Sequence, residues 1–253
     1  MPSLVKNLEH LVTETQHTHD IFTELAAERK DWKVSPVPRE PFANETSGAE
    51  QVFQRISALG LELELPVGAF IRAALERYDE IPPTAIKGMI ENIKDEEKHF
   101  QAFQNIARAY QPTESDLQSA ITWRKLLLHA QHNPIAKARD LETLVFLPVQ
   151  GFMRVYGGQT LERVIADVSH DEYRHTNFGW ELSTVLRIER DANFEQVCLR
   201  IIRWCFEPLD PELQKLWWNV TTEFQETGYS EYLDKTLNYG IHKAPFEISN
   251  AYY

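Results

Sequence analysis

The chain has 253 residues, 43% of them hydrophobic and 25% charged, and its 38 acids outnumber 26 bases for a formal charge of −12 at pH 7. That length supports one sizeable core or two small ones, with the composition of an ordinary soluble protein. The acidic balance and scattered bases argue against a nucleic-acid partner, whose binding rests on Lys and Arg facing phosphates, and no run reaches the length of an apolar membrane span.

Helical periodicity dominates and strand alternation is nearly absent, so the expected class is all-α. The pattern predicts helices over 3–31, 48–78, 83–111, 114–131, 134–156, 159–188, 192–206 and 211–227. Pro36, Pro38 and Pro41 mark a loop after the first. Ile81-Pro82-Pro83 and Gly157-Gly158 mark turns, and Asn133-Pro134 a helix start. Pro66 falls inside the second helix and is expected to kink it or open it locally. Residues 1–20 show polar helix periodicity in place of a signal-peptide core, which makes the cytoplasm the expected compartment. Cys198 and Cys205, seven apart on one helix, would lie about 10 Å apart along its axis, too far for a disulfide. They read as core residues. Residues 229–253 carry little helical signal, but their Tyr and Phe content suits packing on the body or on a partner subunit. Trp204, Trp217 and Trp218 are candidates for a homodimer interface or for the core.

One motif stands out twice, 76 positions apart: Asp95-Glu96-Glu97-Lys98-His99 and Asp171-Glu172-Tyr173-Arg174-His175. On a helix the Glu and His of each copy, three apart, project from the same face. A helical bundle builds a two-metal site from two such Glu-x-x-His pairs and one further Glu on each of two other helices. Glu142 lies 30 residues before Glu172, and Glu64 lies 32 before Glu96. With turns near Gly157-Gly158 and near Asp79-Pro83, each falls level with its partner pair across an antiparallel hairpin. Glu62 competes with Glu64, but the helical neighbours of Glu64 (Phe53, Gly60, Val67, Gly68, Ile71, Leu75) are apolar or small, whereas Glu62 shares a more polar side. Glu142 sits among Ile135, Ala138, Val145, Phe146, Val149 and Met153. A carboxylate on such a face is costly to bury without a counter-charge. Four carboxylates and two neutral imidazoles balance two divalent cations. The alternative is a set of ordinary surface carboxylates and core histidines. His17, His19, His129 and His132 read as surface residues.

Over roughly residues 48–188 the chain resembles the ferritin-like di-iron carboxylate proteins, and the Asp-Glu-x-Arg-His form looks most like their oxygen-activating members. The resemblance implies one domain, a ferritin-like four-helix bundle (about 48–188) with additional N-terminal (3–31) and C-terminal (192–253) parts. It implies a first metal held by Glu64, Glu96 and His99, and a second held by Glu142, Glu172 and His175, with Glu96 and Glu172 bridging. Asp171 would orient His99, Asp95 would orient His175, and Lys98 and Arg174 would neutralise these carboxylates. The implied cofactors are two iron ions, or a manganese–iron pair, with dioxygen as co-substrate. The implied activity is oxidation of a small organic substrate by hydroxylation, N-oxygenation or desaturation, with electrons from a ferredoxin or reductase. Residues one turn from the ligands, Phe100, Phe103, Phe146, Val149, Phe152, Met153 and Thr176, are the candidate pocket walls. The chain departs from individual subfamilies. Phe103 stands where ribonucleotide reductase small subunits carry a radical Tyr. Phe146 replaces the Thr of bacterial multicomponent monooxygenases, and Val168 the extra His of arylamine N-oxygenases. Two cysteines cannot build a rubredoxin module. Iron oxidation and storage, or a metal-stabilised scaffold without activity, are the alternatives.

Overall fold

A computed structural model describes residues 21–43 and 46–228, and all regular structure among them is helical. Residues 21–27 are helical and are labelled α1. There follow α2 (Ala49–Arg77), α3 (Pro83–Tyr110), α4 (Glu114–His129) and α5 (Pro134–Leu141). A π-helical turn (Glu142–Phe146) continues α5 into α6 (Leu147–Tyr156), and α7 (Gln159–Val185), α8 (Ala192–Phe206) and α9 (Pro211–Thr227) complete the order. No helix among the described residues is long and apolar enough to cross a membrane.

The boundaries follow from local chemistry. Pro83, Pro134 and Pro211 occupy the first turns of α3, α5 and α9, where a missing N–H costs nothing. Asn133, Asp191 and Asp210 accept hydrogen bonds from the first free backbone N–H groups of α5, α8 and α9. Thr113 and Asp116 cap α4 reciprocally. The helix expected over 3–31 is a correction. It ends at residue 27, and residues 29–42 run without regular structure. Pro36, Pro38 and Pro41 lack N–H groups and press their predecessors into extended backbone. Residues 1–20, with His17 and His19, and the tail 229–253 lie outside the described residues. Pro66 leaves α2 continuous. The carbonyl of Glu62 that it leaves without a helical donor is on a partly exposed side, within reach of water.

Two antiparallel hairpins make the core: α2 packs along α3, and the α5–α6 rod packs along α7. Contacts of α2 with α5 and of α3 with α7 join them, so four helical segments face one interior. Two glycines permit close approaches between these helices. A Cβ on Gly60 would lie 2.1 Å from the ring of Phe103, and one on Gly88 would lie 2.4 Å from the ring of Phe178. Outside this core α4 crosses α2, while α8 and α9 pack on the π turn. Trp217 is buried with Phe152, Tyr156 and Phe206, while Trp204 and Trp218 are partly exposed.

The non-helical segment after α1 is a strap fastened along its length. Asn105 donates to the Ser35 carbonyl at 3.1 Å, and the Ala43 N–H donates to the Tyr156 carbonyl at 2.9 Å. Glu40 accepts from both the backbone N–H and the hydroxyl of Thr160, each at 2.7 Å, and so caps the start of α7.

Candidate metal centre

Six of the residues singled out by the repeated motif and its partner carboxylates converge in the middle of the four segments. Glu64, Glu96, His99 and Glu172 form one group and Glu96, Glu142, Glu172 and His175 a second, with the potential ligand atoms of each group within 4.8 Å of one another. Glu96 and Glu172 belong to both groups, and none of the six residues is more than 2% exposed. Each imidazole turns Nδ1 toward the carboxylates. His99 Nδ1 is 3.2 Å from Glu172 Oε1 and 3.8 Å from Glu64 Oε2. His175 Nδ1 is 3.0 Å from Glu96 Oε1 and 3.8 Å from Glu142 Oε1. Glu62, by contrast, turns away and pairs with Arg124 at 2.8 Å.

The opposite ring nitrogens face aspartates. His99 Nε2 lies 3.4 Å from Asp171 Oδ2, and His175 Nε2 lies 3.6 Å from Asp95 Oδ2. A carboxylate on Nε2 favours the tautomer whose Nδ1 lone pair is free for a cation. Cations in turn surround the aspartates. Arg174 donates to Asp95 at 2.5 Å and to Asn92 at 2.8 Å, and Lys98 Nζ is 2.7 Å from Asp95 and 3.7 Å from Asp171. The strap supplies two partners that the sequence pattern did not reveal. Arg29 donates to Asp95 at 2.9 Å, and Trp32 Nε1 donates to Asp171 at 2.6 Å while its ring stacks on His99.

Inner and outer carboxyls have opposite proton affinities. Burial, reinforced by the neighbouring Glu172 charge, pushes Glu64 up to about 8 and Glu96 and Glu142 well above the usual carboxylate range. Burial also works to raise Asp95 and Asp171, but hydrogen bonds outweigh it. Those from His175, Arg29 and Lys98 hold Asp95 below its ordinary value, and those from His99 and Trp32 do the same for Asp171. The imidazoles differ from each other. Burial disfavours charge on His99, yet Asp171 and Glu172 raise it to about 10. His175 is held below the ordinary imidazole value by burial and by neighbouring Arg174, against the pull of Asp95. The outer shell is thus anionic with its own counter-charges, while the inner carboxyls require protons or added cations.

Eight inner-shell atoms lack any hydrogen-bond partner: both oxygens of Glu64 and of Glu96, Oε1 of Glu142, Oε2 of Glu172, and Nδ1 of both histidines. Buried polar atoms are normally paired, because leaving one unpaired costs about 1–3 kcal/mol. Oxygen and imidazole donors in this number and arrangement fit two divalent cations of the first transition row.

The π turn redirects the rod that carries Glu142. Thr143 gives its hydroxyl to the Arg139 carbonyl at 2.7 Å, and Pro148 has no N–H with which to resume the ladder. The extra residue in the turn advances the register, so that Gln150 rather than Val149 reaches the ligands and donates to Glu172 at 3.4 Å. A regular 3.6-residue period cannot anticipate that.

The expected pocket walls are spread over three helical segments of the bundle. Phe100 is half-buried and Phe103 is packed on Gly60. Phe152 belongs to the aromatic cluster with Phe53, Phe206 and Trp217, and Phe146, Val149 and Met153 are buried on the same rod. Thr176 is buried with its hydroxyl unpartnered. None of these lines the cavity that touches the ligands, which measures about 30 Å³ and lies on the other side of Glu142, toward Ile135 and Ala138. His132 is a second correction. Its side chain is only 9% exposed, set between Asp191 at 3.2 Å and Asp140 at 4.0 Å, while His129 is exposed. No family model, curated protein or solved structure matches the chain.

Proposed function

We propose that the chain is a ferritin-like di-iron carboxylate protein that uses dioxygen to oxidise a small organic substrate, with electrons from a separate ferredoxin or reductase. The observation that carries this reading is the set of eight unpartnered ligand atoms around two overlapping clusters. Glu64 and His99 would hold one metal ion, Glu142 and His175 the other, and Glu96 and Glu172 would reach both. Two iron ions, or manganese and iron, supply the redox capacity for dioxygen reduction when bound. The four glutamates with two neutral imidazoles leave that centre without net charge. Asp171 and Asp95 hold the Nε2 protons of His99 and His175, so that each Nδ1 keeps its lone pair. Trp32 and Arg29 fix those aspartates, and the buried apolar walls exclude water.

A second reading, iron oxidation without an organic substrate, is favoured by the size of the adjoining cavity, which suits a diatomic gas rather than an organic molecule. The oxygenase reading requires that space to widen. Ferrous iron titrated into metal-free protein, followed by exposure to oxygen, separates the readings. Saturation near two ions per chain with oxygen consumption supports the oxygenase and justifies a substrate screen. Continued uptake of soluble ferric iron far beyond two supports storage. Uptake without oxygen consumption leaves a scaffold, and no uptake overturns the assignment.

A further inference from the structure

Arg139, on α5 just ahead of Glu142, brings a guanidinium to the Glu142–His175 cluster that the six inner residues do not engage. It is 1% exposed and held from several directions. Nε donates to Asp140 at 2.7 Å, Nη1 donates to the Ser183 hydroxyl at 3.0 Å, and the guanidinium carbon lies 4.2 Å from the centre of the Trp180 ring. Gly179 lets it sit close to α7, since a Cβ there would lie 3.0 Å from the Arg139 Cβ. Nη2 is left buried without a hydrogen-bond partner. Arg139 borders the cavity of about 30 Å³ together with Glu142 and His175, whose Oε1 and Nδ1 are likewise unpartnered. Among the other lining residues, Asn92 gives its side-chain oxygen to Arg174, and Ile71, Ile135 and Ala138 are apolar. The Glu64–His99 cluster is covered instead by the strap, with Trp32 stacked on His99 at 6.1 Å between ring centroids.

With a cation held by Glu142 and His175, Oε1 and Nδ1 face that ion and no longer accept hydrogen bonds. The cavity then presents two electron-poor groups, the ion and the Nη2 N–H of Arg139. An apolar guest would leave the N–H unpaired, and a water would meet both groups with its lone pairs while its own hydrogens lacked acceptors. A molecule that only accepts, with an acceptor at each end, satisfies both, and charge strengthens each contact. The space holds roughly two water-sized bodies. We propose that this cavity binds a monovalent anion of about two or three non-hydrogen atoms, of the class of azide, formate or nitrite, and that Arg139 selects it by donating from Nη2. The cation in this inference rests on the function proposed above.

Cobaltous ion, which does not react with azide, is titrated into the metal-free full-length protein and counted before sodium azide is added. Azide binding is then read from the visible absorption of cobalt and from the azide antisymmetric stretch in the infrared. Saturable binding is expected in the loaded protein. Arg139→Met, which removes the donor, should weaken it by about tenfold or more and shift the stretch, with the cobalt count unchanged. Ala138→Val, which puts methyl groups into the space and leaves Arg139 in place, should weaken it similarly and decides the matter if Arg139→Met does not fold. Azide affinity equal to wild type in either variant overturns the proposal. Cobalt uptake without azide binding overturns it while leaving the metal reading intact, whereas a chain that takes up no cobalt overturns both.

Discussion

Removing metal should make the protein's stability fall as pH rises through neutrality. Glu64 ionises near 4.5 in an unfolded chain and at about 8 in the folded one. Between those values the folded state holds a proton that the unfolded state has released, so stability declines with each step in pH. At roughly 1.4 kcal/mol per pH unit, the full cost for this one carboxyl is about 5 kcal/mol. Glu96 and Glu142 act in the same direction. His99, raised to about 10, contributes stability that is complete below its unfolded value of 6.5 and lost as pH rises through 10. Asp95 and Asp171, both lowered, contribute stability that is present above 3.8 and lost on acidification below it. The metal-free protein should therefore be most stable near pH 4–5, and its Tm should drop by about 7–14 °C between pH 5 and pH 8 for the Glu64 contribution alone, since about 3.5 of those 5 kcal/mol fall within that window. Bound divalent cations replace those protons, so the gap between loaded and metal-free Tm should widen over the same range. Thermal melts followed by circular dichroism, with chelator and with ferrous or manganous ion, measure both curves. A metal-free Tm that is flat or rising from pH 5 to pH 8 would refute the reasoning, since the inner carboxyls would then ionise without penalty.

Other perturbations address single contacts. Glu172→Ala removes a ligand from both clusters, and metal analysis after desalting should show fewer than two ions per chain. Trp32→Phe keeps the ring over His99 but takes the donor from Asp171; about 1.5–3 kcal/mol of stability should be lost. Metal affinity should weaken by about tenfold or more, as read by competition with a chromophoric chelator. Arg174→Met leaves Asp95 with Arg29 and Lys98 but breaks a fully buried ion pair, with an expected cost of about 3–5 kcal/mol in urea denaturation. Gly60→Ala places a methyl group 2.1 Å from the Phe103 ring and should cost about 1–3 kcal/mol without changing the number of metal ions bound.

How much of this could be read from the sequence depended on range and on regularity. Glu96 with His99, and Glu172 with His175, are three apart on regular helices, so one period decides which way they project. Glu64 could be separated from Glu62 by the company each keeps, and Glu62 is indeed drawn off toward Arg124. Trp32 and Asp171 are 139 residues apart and Arg29 and Asp95 are 66 apart. No periodicity links a proline-rich segment to helices so distant. Gln150 is hidden from a sequence reading by the π turn, which breaks the constant rise that a helical period assumes. His132 sits at a helix boundary where a pattern suggests solvent, but neighbours from the α7–α8 connection enclose it.

The strap also bears on how the centre is assembled and dismantled. Its contact from Trp32 to Asp171 spans 139 residues, the longest reach among the hydrogen bonds around the six inner residues, and contacts of that kind form late in folding because loop closure must come first. The two hairpins can gather the six inner residues before Trp32 and Arg29 arrive. With metal bound, the segment would act as a latch fitted after loading. Release of a bound ion would wait on its detachment, so the lifetime of the loaded state would be set by a local opening rate and not by the affinity of the ligands.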